Sequence, residues 1–251
     1  MRAIIFLTAL FVSLSAMARE IIQVGGYEFS PYVEFQQGRA IGLTPKLLAL
    51  LNKTQDKYEF RFVPTAPRRR YEDLSTGTFD VMFFENPEWG WSSRKINAAV
   101  SREFLRDQEV FVTQAAGRDQ NFFTVLAGKS IAGIYGYHYA FAGFNDDPSI
   151  LESQHGMSLV YSHQAAIQLT LSGRVDMAII NRSFLNNYLR ANPALKSRLL
   201  VSRRVDQTYS HRAMVRDGAR ITIHEIEALL DQLKRNGTLD KLWRDAGITE
   251  Q

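Results

Sequence analysis

Ile21-Ile22-Gln23-Val24 is a short apolar run closed by Gly25 and Gly26, which predicts a buried strand. From Gly42 to Asn52, Leu43, Leu47, Leu48 and Leu51 recur at helical spacing. Pro45 lies near the start, where its missing N–H costs little. Tyr58 to Val63 then alternates, with Tyr58, Phe60 and Phe62 set against Glu59 and Arg61, the pattern of a half-buried strand. Strand, helix and strand in this order predict an α/β unit.

The pattern later repeats itself. Leu74-Ser75-Thr76-Gly77-Thr78-Phe79-Asp80 runs into Val81-Met82-Phe83-Phe84, and Leu171-Ser172-Gly173-Arg174-Val175-Asp176 runs into Met177-Ala178-Ile179-Ile180. Each predicts a helix stopped by glycine, an aspartate, and an all-apolar strand of the kind covered on both faces. Two such units predict two similar α/β lobes. Ligands of open α/β sheets sit beyond the carboxyl ends of strands, which points to Glu85-Asn86 and Asn181-Arg182. A third strand, Ile131 to Ile134, leads into Tyr135-Gly136-Tyr137-His138-Tyr139, where a helix start would offer free N–H groups to an anion. Ile223 to Trp243 predicts two closing amphipathic helices, broken at Asn236-Gly237.

Composition narrows the class. With 45% hydrophobic and 22% charged residues the chain can bury a substantial core. The net charge of +4 is mild and scattered apart from Arg68-Arg69-Arg70, so no nucleic-acid footprint is expected. That run predicts a solvated helix face, with Arg69 the one member weighed for the cleft. Arg2, the apolar run Ala3 to Val12 and the Ala16-Met17-Ala18 site predict a secretory leader cleaved after Ala18. Its apolar stretch is short of the ~20 residues that span a bilayer. No cysteine is present, so the expected periplasmic protein has neither disulfides nor a lipidation site.

In order along the chain, Phe29-Ser30-Pro31-Tyr32, Gly42, Leu74 to Asp80, Arg94 with Ala99-Val100-Ser101, Leu126-Ala127-Gly128-Lys129 leading into Gly136, Gly173 to Asp176, and Leu233 to Trp243 resemble the periplasmic solute-binding proteins that feed polar amino acids to ABC importers. The resemblance spans nearly the whole mature chain. It implies two α/β lobes, each a mixed sheet flanked by helices, joined by two hinge strands around a ligand cleft. The first lobe would comprise residues 19–108 and 209–251 and the second 109–208, after a leader of residues 1–18. The hinge passages would fall near Phe104 to Val112 and Val201 to Met214.

The resemblance places Phe29 over the ligand and Arg94 on its α-carboxylate, a match suited to a permanently charged, bidentate guanidinium. It places Gly136, Tyr137 and His138 at a helix start facing the same carboxylate, with Tyr and His in place of small hydroxyl residues. Two departures matter. Asn181 stands where the family commonly has an aspartate for the α-ammonium group, and the loop from Glu85 to Ser93 is about two residues longer. Glu85 is the expected replacement anion, unless the ligand is no α-amino acid, and Trp91 an expected aromatic wall. Trp89 more simply packs under the loop.

No Gly-x-Ser-x-Gly turn, His-Glu-x-x-His or metal-spaced cluster occurs, so catalytic residues, metal ligands and cofactors are not expected. The expected partners are a small ligand and an importer permease, the protein itself being a monomer. Two alternatives stay open: an enzyme similar to periplasmic cyclohexadienyl dehydratase, using Glu85, Arg94 and His138, and a ligand-sensing partner of a membrane receptor.

Overall fold

The computed structural model describes residues 18–248. Residues 1–17 of the expected leader 1–18 and the last three residues of the first-lobe segment lie outside them. The chain opens with β1 (Glu20–Gly26), a hairpin of β2 (Glu34–Gln36) and β3 (Arg39–Ile41), α1 (Leu43–Thr54), β4 (Tyr58–Pro64), α2 (Arg70–Ser75), β5 (Val81–Glu85) and β6 (Ala98–Val100). A long strand β7 (Leu105–Gln114) leads to β8 (Ile131–Ile134), α3 (Pro148–His155), β9 (Met157–Val160), α4 (His163–Leu171), β10 (Met177–Asn181) and α5 (Arg182–Ala191). The 18-residue strand β11 (Leu199–Arg216) returns, and α6 (Ile223–Arg235) and α7 (Thr238–Asp245) follow. No helix among the described residues is long and apolar enough to cross a membrane.

The strand order is β4-β1-β5-β11-β7-β10-β8-β9. In one lobe β1 lies between its parallel neighbours β4 and β5, and β11 closes the set antiparallel. In the other β8 lies between parallel β9 and β10, and β7 closes it antiparallel. The two halves are thus matched strand for strand. They meet where β7 and β11 pair antiparallel from Leu105↔His211 to Gln114↔Leu199, the two inferred hinge passages.

The repeated aspartate has a structural cause. Asp80 Oδ2 accepts the Gln23 N–H at 3.0 Å while its own N–H donates to Gln23 O at 2.8 Å. Asp176 does the same to Ser130, accepting at 2.8 Å and donating at 3.0 Å. Each acid therefore staples its strand to the parallel neighbour one residue before the ladder pairs Val24↔Val81 and Ile131↔Met177 begin. The apolar strands that follow are covered on both sides: Met177 and Ile179 join one apolar cluster, Ala178 and Ile180 another.

Two local expectations are corrected. No helix starts at Gly136. The chain makes a turn and a short 3₁₀ segment at Ala140–Ala142, because the helix-start chemistry lies further on, where Asp147 caps the N–H groups of Ser149 and Ile150 and Pro148 opens α3. The arginine run is also not one solvated face. Arg69 is exposed beside Asp73, whereas Arg70 is fully buried.

Asp80→Ala or Asp176→Ala should each lower stability by about 1–3 kcal/mol, the cost of leaving a strand N–H without its charged acceptor. The Ser130 N–H holds the Asp176 carboxyl below its ordinary value. Its stabilisation is therefore present above the unfolded value of ~3.9 and lost as pH falls below it. Urea unfolding of wild type and Asp176→Ala between pH 3 and 6 would show the two curves converging in acid.

Candidate functional site

The carboxyl ends of β1, β5 and β8 carry loops that meet between the lobes, and β10 runs directly into α5. Phe29, in the loop after β1, is buried at the centre of an aromatic cluster. Its ring centroid lies 4.7 Å from Tyr32, 5.6 Å from Trp89, 5.3 Å from Tyr137 and 6.0 Å from Tyr209. Tyr137 comes from the β8 lobe and Tyr209 from hinge strand β11, so this one ring touches both lobes and the hinge. Tyr137 also donates to Glu28 O at 3.1 Å. Gly136 adopts φ 79°, and a Cβ there would come within 2.8 Å of Pro67, so only glycine allows the two lobes to approach this closely.

Glu85, at the end of β5, is fully buried against Arg70. Arg70 Nε donates to Glu85 Oε2 at 3.2 Å, and Trp91 Nε1 donates to the same oxygen at 2.7 Å. The Arg70 guanidinium lies 4.2 Å from the Tyr71 ring centre and 4.9 Å from that of Tyr27. Burial pushes the Glu85 carboxyl up, and Arg70 and Trp91 draw it back. Because arginine keeps its proton in proteins, Glu85 faces a fixed cation. The expected replacement anion is thus engaged by a residue of its own lobe, and Trp91 orients it.

Arg94 reaches across the gap. Its Nη2 lies 2.9 and 2.8 Å from the two oxygens of Asp146, which belongs to the β8 lobe, and its guanidinium stacks 4.2 Å from the Tyr71 ring. The Arg94 side chain remains 34% exposed, beside a groove of about 760 Å³ lined by Pro87, Ser93, Gly143 and Asp146 among others. His138 Nε2 lies 3.4 Å from the Tyr71 hydroxyl and 3.8 Å from Asp146. Burial, aided by Arg70 and opposed by Asp146, lowers the His138 pKa to about 3, so the ring is neutral near pH 7.

Asn181 sits elsewhere. Its Oδ1 caps α5 by accepting the Phe184 N–H at 2.9 Å, and its Nδ2 donates to Asp107 Oδ2 at 2.8 Å. The Tyr32 hydroxyl donates to the same oxygen at 2.7 Å, which links Asn181 to Phe29 through Asp107 and Tyr32. No direct contact joins Arg94 and Asn181 among the described residues. The structure therefore gathers Phe29 with Tyr137, Glu85 with Trp91, and Arg94 with His138, while Asn181 occupies the hinge side.

Sequence reasoning missed Arg70, Asp107, Glu109, Asp146 and Gln207. Glu109 Oε2 accepts from Gln207 Nε2 at 2.8 Å, and Gln207 Oε1 accepts from Trp89 Nε1 at 2.9 Å. The same Gln207 amide also donates to His138 O. A signal for the hinge acids existed: Asp107 and Glu109 alternate with exposed Arg106 and half-exposed Gln108, placing them on the inward face of β7. Nothing comparable distinguishes Arg70 from its two arginine neighbours.

Burial pushes the Glu109 carboxyl up to about 8, reinforced by Asp206. A raised acid pKa means the folded state holds a proton that the unfolded chain releases, so stability should fall as pH rises from about 5 to about 8. Glu109→Gln should flatten that slope in urea midpoints measured at unit pH steps.

No family model matches the sequence, and no curated protein matches it. Solved structures do. An ABC uptake transporter substrate-binding protein from Streptococcus pneumoniae with bound histidine aligns at TM-score 0.70 and 18% identity, covering 90% of this chain and 91% of that one. An ancestral arginine-binding protein bound to arginine aligns at 0.67 and 19%, covering 91% and 98%. An ancestral amino-acid-binding protein described as a precursor of cyclohexadienyl dehydratase aligns at 0.65 and 19%, covering 90% and 94%. With its matched half-sheets and its loops meeting between them, the chain has the two-lobed α/β fold of these amino-acid-binding proteins.

Proposed function

We propose that this protein is a periplasmic solute-binding protein that captures a small carboxylate-bearing, amino-acid-like ligand between its lobes and presents it to an ABC importer. One lobe comprises residues 19–108 and 209–251 and the other 109–208. Phe29, Glu85, Trp91, Arg94, Gly136, Tyr137, His138 and Asn181 form or support the site. The observation that carries this reading is the Arg94–Asp146 contact, in which an arginine of one lobe holds a carboxylate of the other at the mouth of the gap. On this reading Asp146 stands in for a ligand carboxylate, and a ligand entering there would exchange one oxyanion for another. The uptake-transporter neighbour holds histidine and the ancestral arginine-binding neighbour holds arginine, which supports the amino-acid class.

The dehydratase reading is favoured by one observation, the likeness to the dehydratase precursor. The site geometry favours binding, since the Glu85 carboxyl is already engaged by Arg70 and Trp91. Turnover of prephenate or arogenate by the purified protein would decide for the enzyme.

A thermal-shift screen of amino acids should reveal a ligand whose stabilisation grows with concentration. Arg94→Ala should then weaken binding, by about 2–4 kcal/mol if closure of the lobes buries the contact with the ligand carboxylate. Asp146→Asn should tighten binding, because it removes the internal competitor. Weaker binding in Asp146→Asn together with unchanged binding in Arg94→Ala would sink the assignment.

A further inference from the structure

An arginine that exchanges Asp146 for a ligand carboxylate has to stay in place while neither is bound. A loose arginine side chain samples many rotamers, and freezing it on binding lowers affinity. The Asp146 pair cannot do the holding, because it is partly exposed, hence weak, and is the contact that a ligand would break. Two further residues meet the guanidinium, Tyr71 and Gly90.

Tyr71 lies in α2 and is 4% exposed. The Arg94 guanidinium carbon sits over its ring, 4.2 Å from the centre. A guanidinium is planar and weakly hydrated, so an aromatic face is a natural support for it. The ring is itself fixed: Trp91 packs edge-on at 4.8 Å, and the Tyr71 hydroxyl donates to Trp89 O at 2.6 Å. That bond pins the residue before Gly90. Gly90 O accepts from the Arg94 backbone N–H at 3.2 Å, from the Ser93 hydroxyl at 3.1 Å and from Arg94 Nη1 at 3.4 Å. Gly90 has φ 77°, and a Cβ there would overlap Arg94 Nη1 and come within 3.1 Å of both its Cζ and the Tyr71 hydroxyl. The guanidinium therefore fills the space that a side chain at position 90 would need. Ring, carbonyl and missing Cβ define one position, from which Nη2 emerges toward Asp146.

We propose that Tyr71 and Gly90 are positioning residues, a socket that keeps the Arg94 guanidinium aimed across the gap with Nη2 presented to a ligand carboxylate when Asp146 withdraws. The proposal rests on the carboxylate-binding reading of Arg94 and adds what keeps that group ordered. It also orients the ligand, whose carboxylate meets Nη2 because Nη1 is occupied by Gly90 O and the ring covers one face.

The test follows the Arg94 Nε–Hε resonance by NMR in the full-length protein, assigned by its loss in Arg94→Lys. In Asp146→Ala the resonance should keep the upfield position that the Tyr71 ring imposes. Gly90→Ala and Tyr71→Leu should each move it to the position of a free arginine, whereas Tyr71→Phe, which keeps the ring, should not. The added carbon in Gly90→Ala meets the movable end of Arg94, and the two variants probe separate sides of the socket, so an abnormal melt in one leaves the other decisive. Acetate should shift the resonance saturably in Asp146→Ala, with an affinity at least about fivefold weaker once Gly90→Ala is added. A free-arginine position in Asp146→Ala, or an unmoved resonance in both Gly90→Ala and Tyr71→Leu, would overturn the socket while leaving the carboxylate reading standing. A resonance held upfield in Asp146→Ala that ignores acetate would instead reject the carboxylate reading, and the proposal with it.

Discussion

The pairing of β7 with β11 is the constraint on which the rest of the molecule depends, because it is the only ladder shared by both half-sheets among the described residues. A ladder of apolar strands would be simplest to bury. This one instead carries Asp107, Glu109 and Gln207 on buried positions. Each is satisfied by a group from another element: Asp107 by Tyr32 and Asn181, Glu109 by Gln207, and Gln207 by Trp89. Such a network specifies one arrangement of the lobes, because any displacement leaves a desolvated polar atom without its partner. The register breaks of β11 between Val201 and Gln207, and again near Arg212, bend the strand so that its two ends serve two sheets.

Two ion pairs in the seam have opposite energetic characters. Arg70–Glu85 is fully buried, so its desolvation cost is large, and losing one partner would strand a charge at a cost of about 3–5 kcal/mol. That pair is fixed architecture. Arg94–Asp146 is partly exposed, a class worth only ~0–1 kcal/mol. A weak internal pair is one that an incoming carboxylate can replace. The difference in burial, rather than the identity of the residues, separates the arginine that holds the loop from the one proposed to meet a ligand.

Much of the fold was legible in the chain. Helical leucine spacing located α1, the glycine-stopped repeats located β5 and β10, and Asn236-Gly237 marked the break between α6 and α7. These features are local, and local periodicity encodes them directly. The helix start after β8 was misplaced because glycine at a strand end is compatible with either a cap or a turn, whereas Asp147-Pro148 carries the actual cap chemistry. The seam was only half legible. Arg94, Phe29 and Tyr137 came through their resemblance to a family pattern, but Asp146 and Asp107 acquire meaning only through partners 52 and 74 residues away. Arg70 is indistinguishable from Arg69 in sequence, and only the direction of the first turn of α2 buries one and exposes the other.

The packing of the seam also bears on how a ligand enters. Phe29 meets Tyr137 edge-on across the lobes, and aromatic pairs of this kind add about 0.5–1.5 kcal/mol beyond their burial. The Tyr71–His138 and Tyr137–Glu28 hydrogen bonds act in the same sense. A ligand reaching the interior must find the lobes apart, and its apparent affinity is reduced by the fraction of molecules in that state. It recovers that loss only through contacts made with both lobes at once. On the proposed reading Arg94 from one side and the Gly136–His138 turn from the other would make them, and the close approach that Gly136 permits to Pro67 sets how closely the lobes lie. Under the proposed function, selectivity would then rest on which ligands let the Phe29–Tyr137 contact re-form around them.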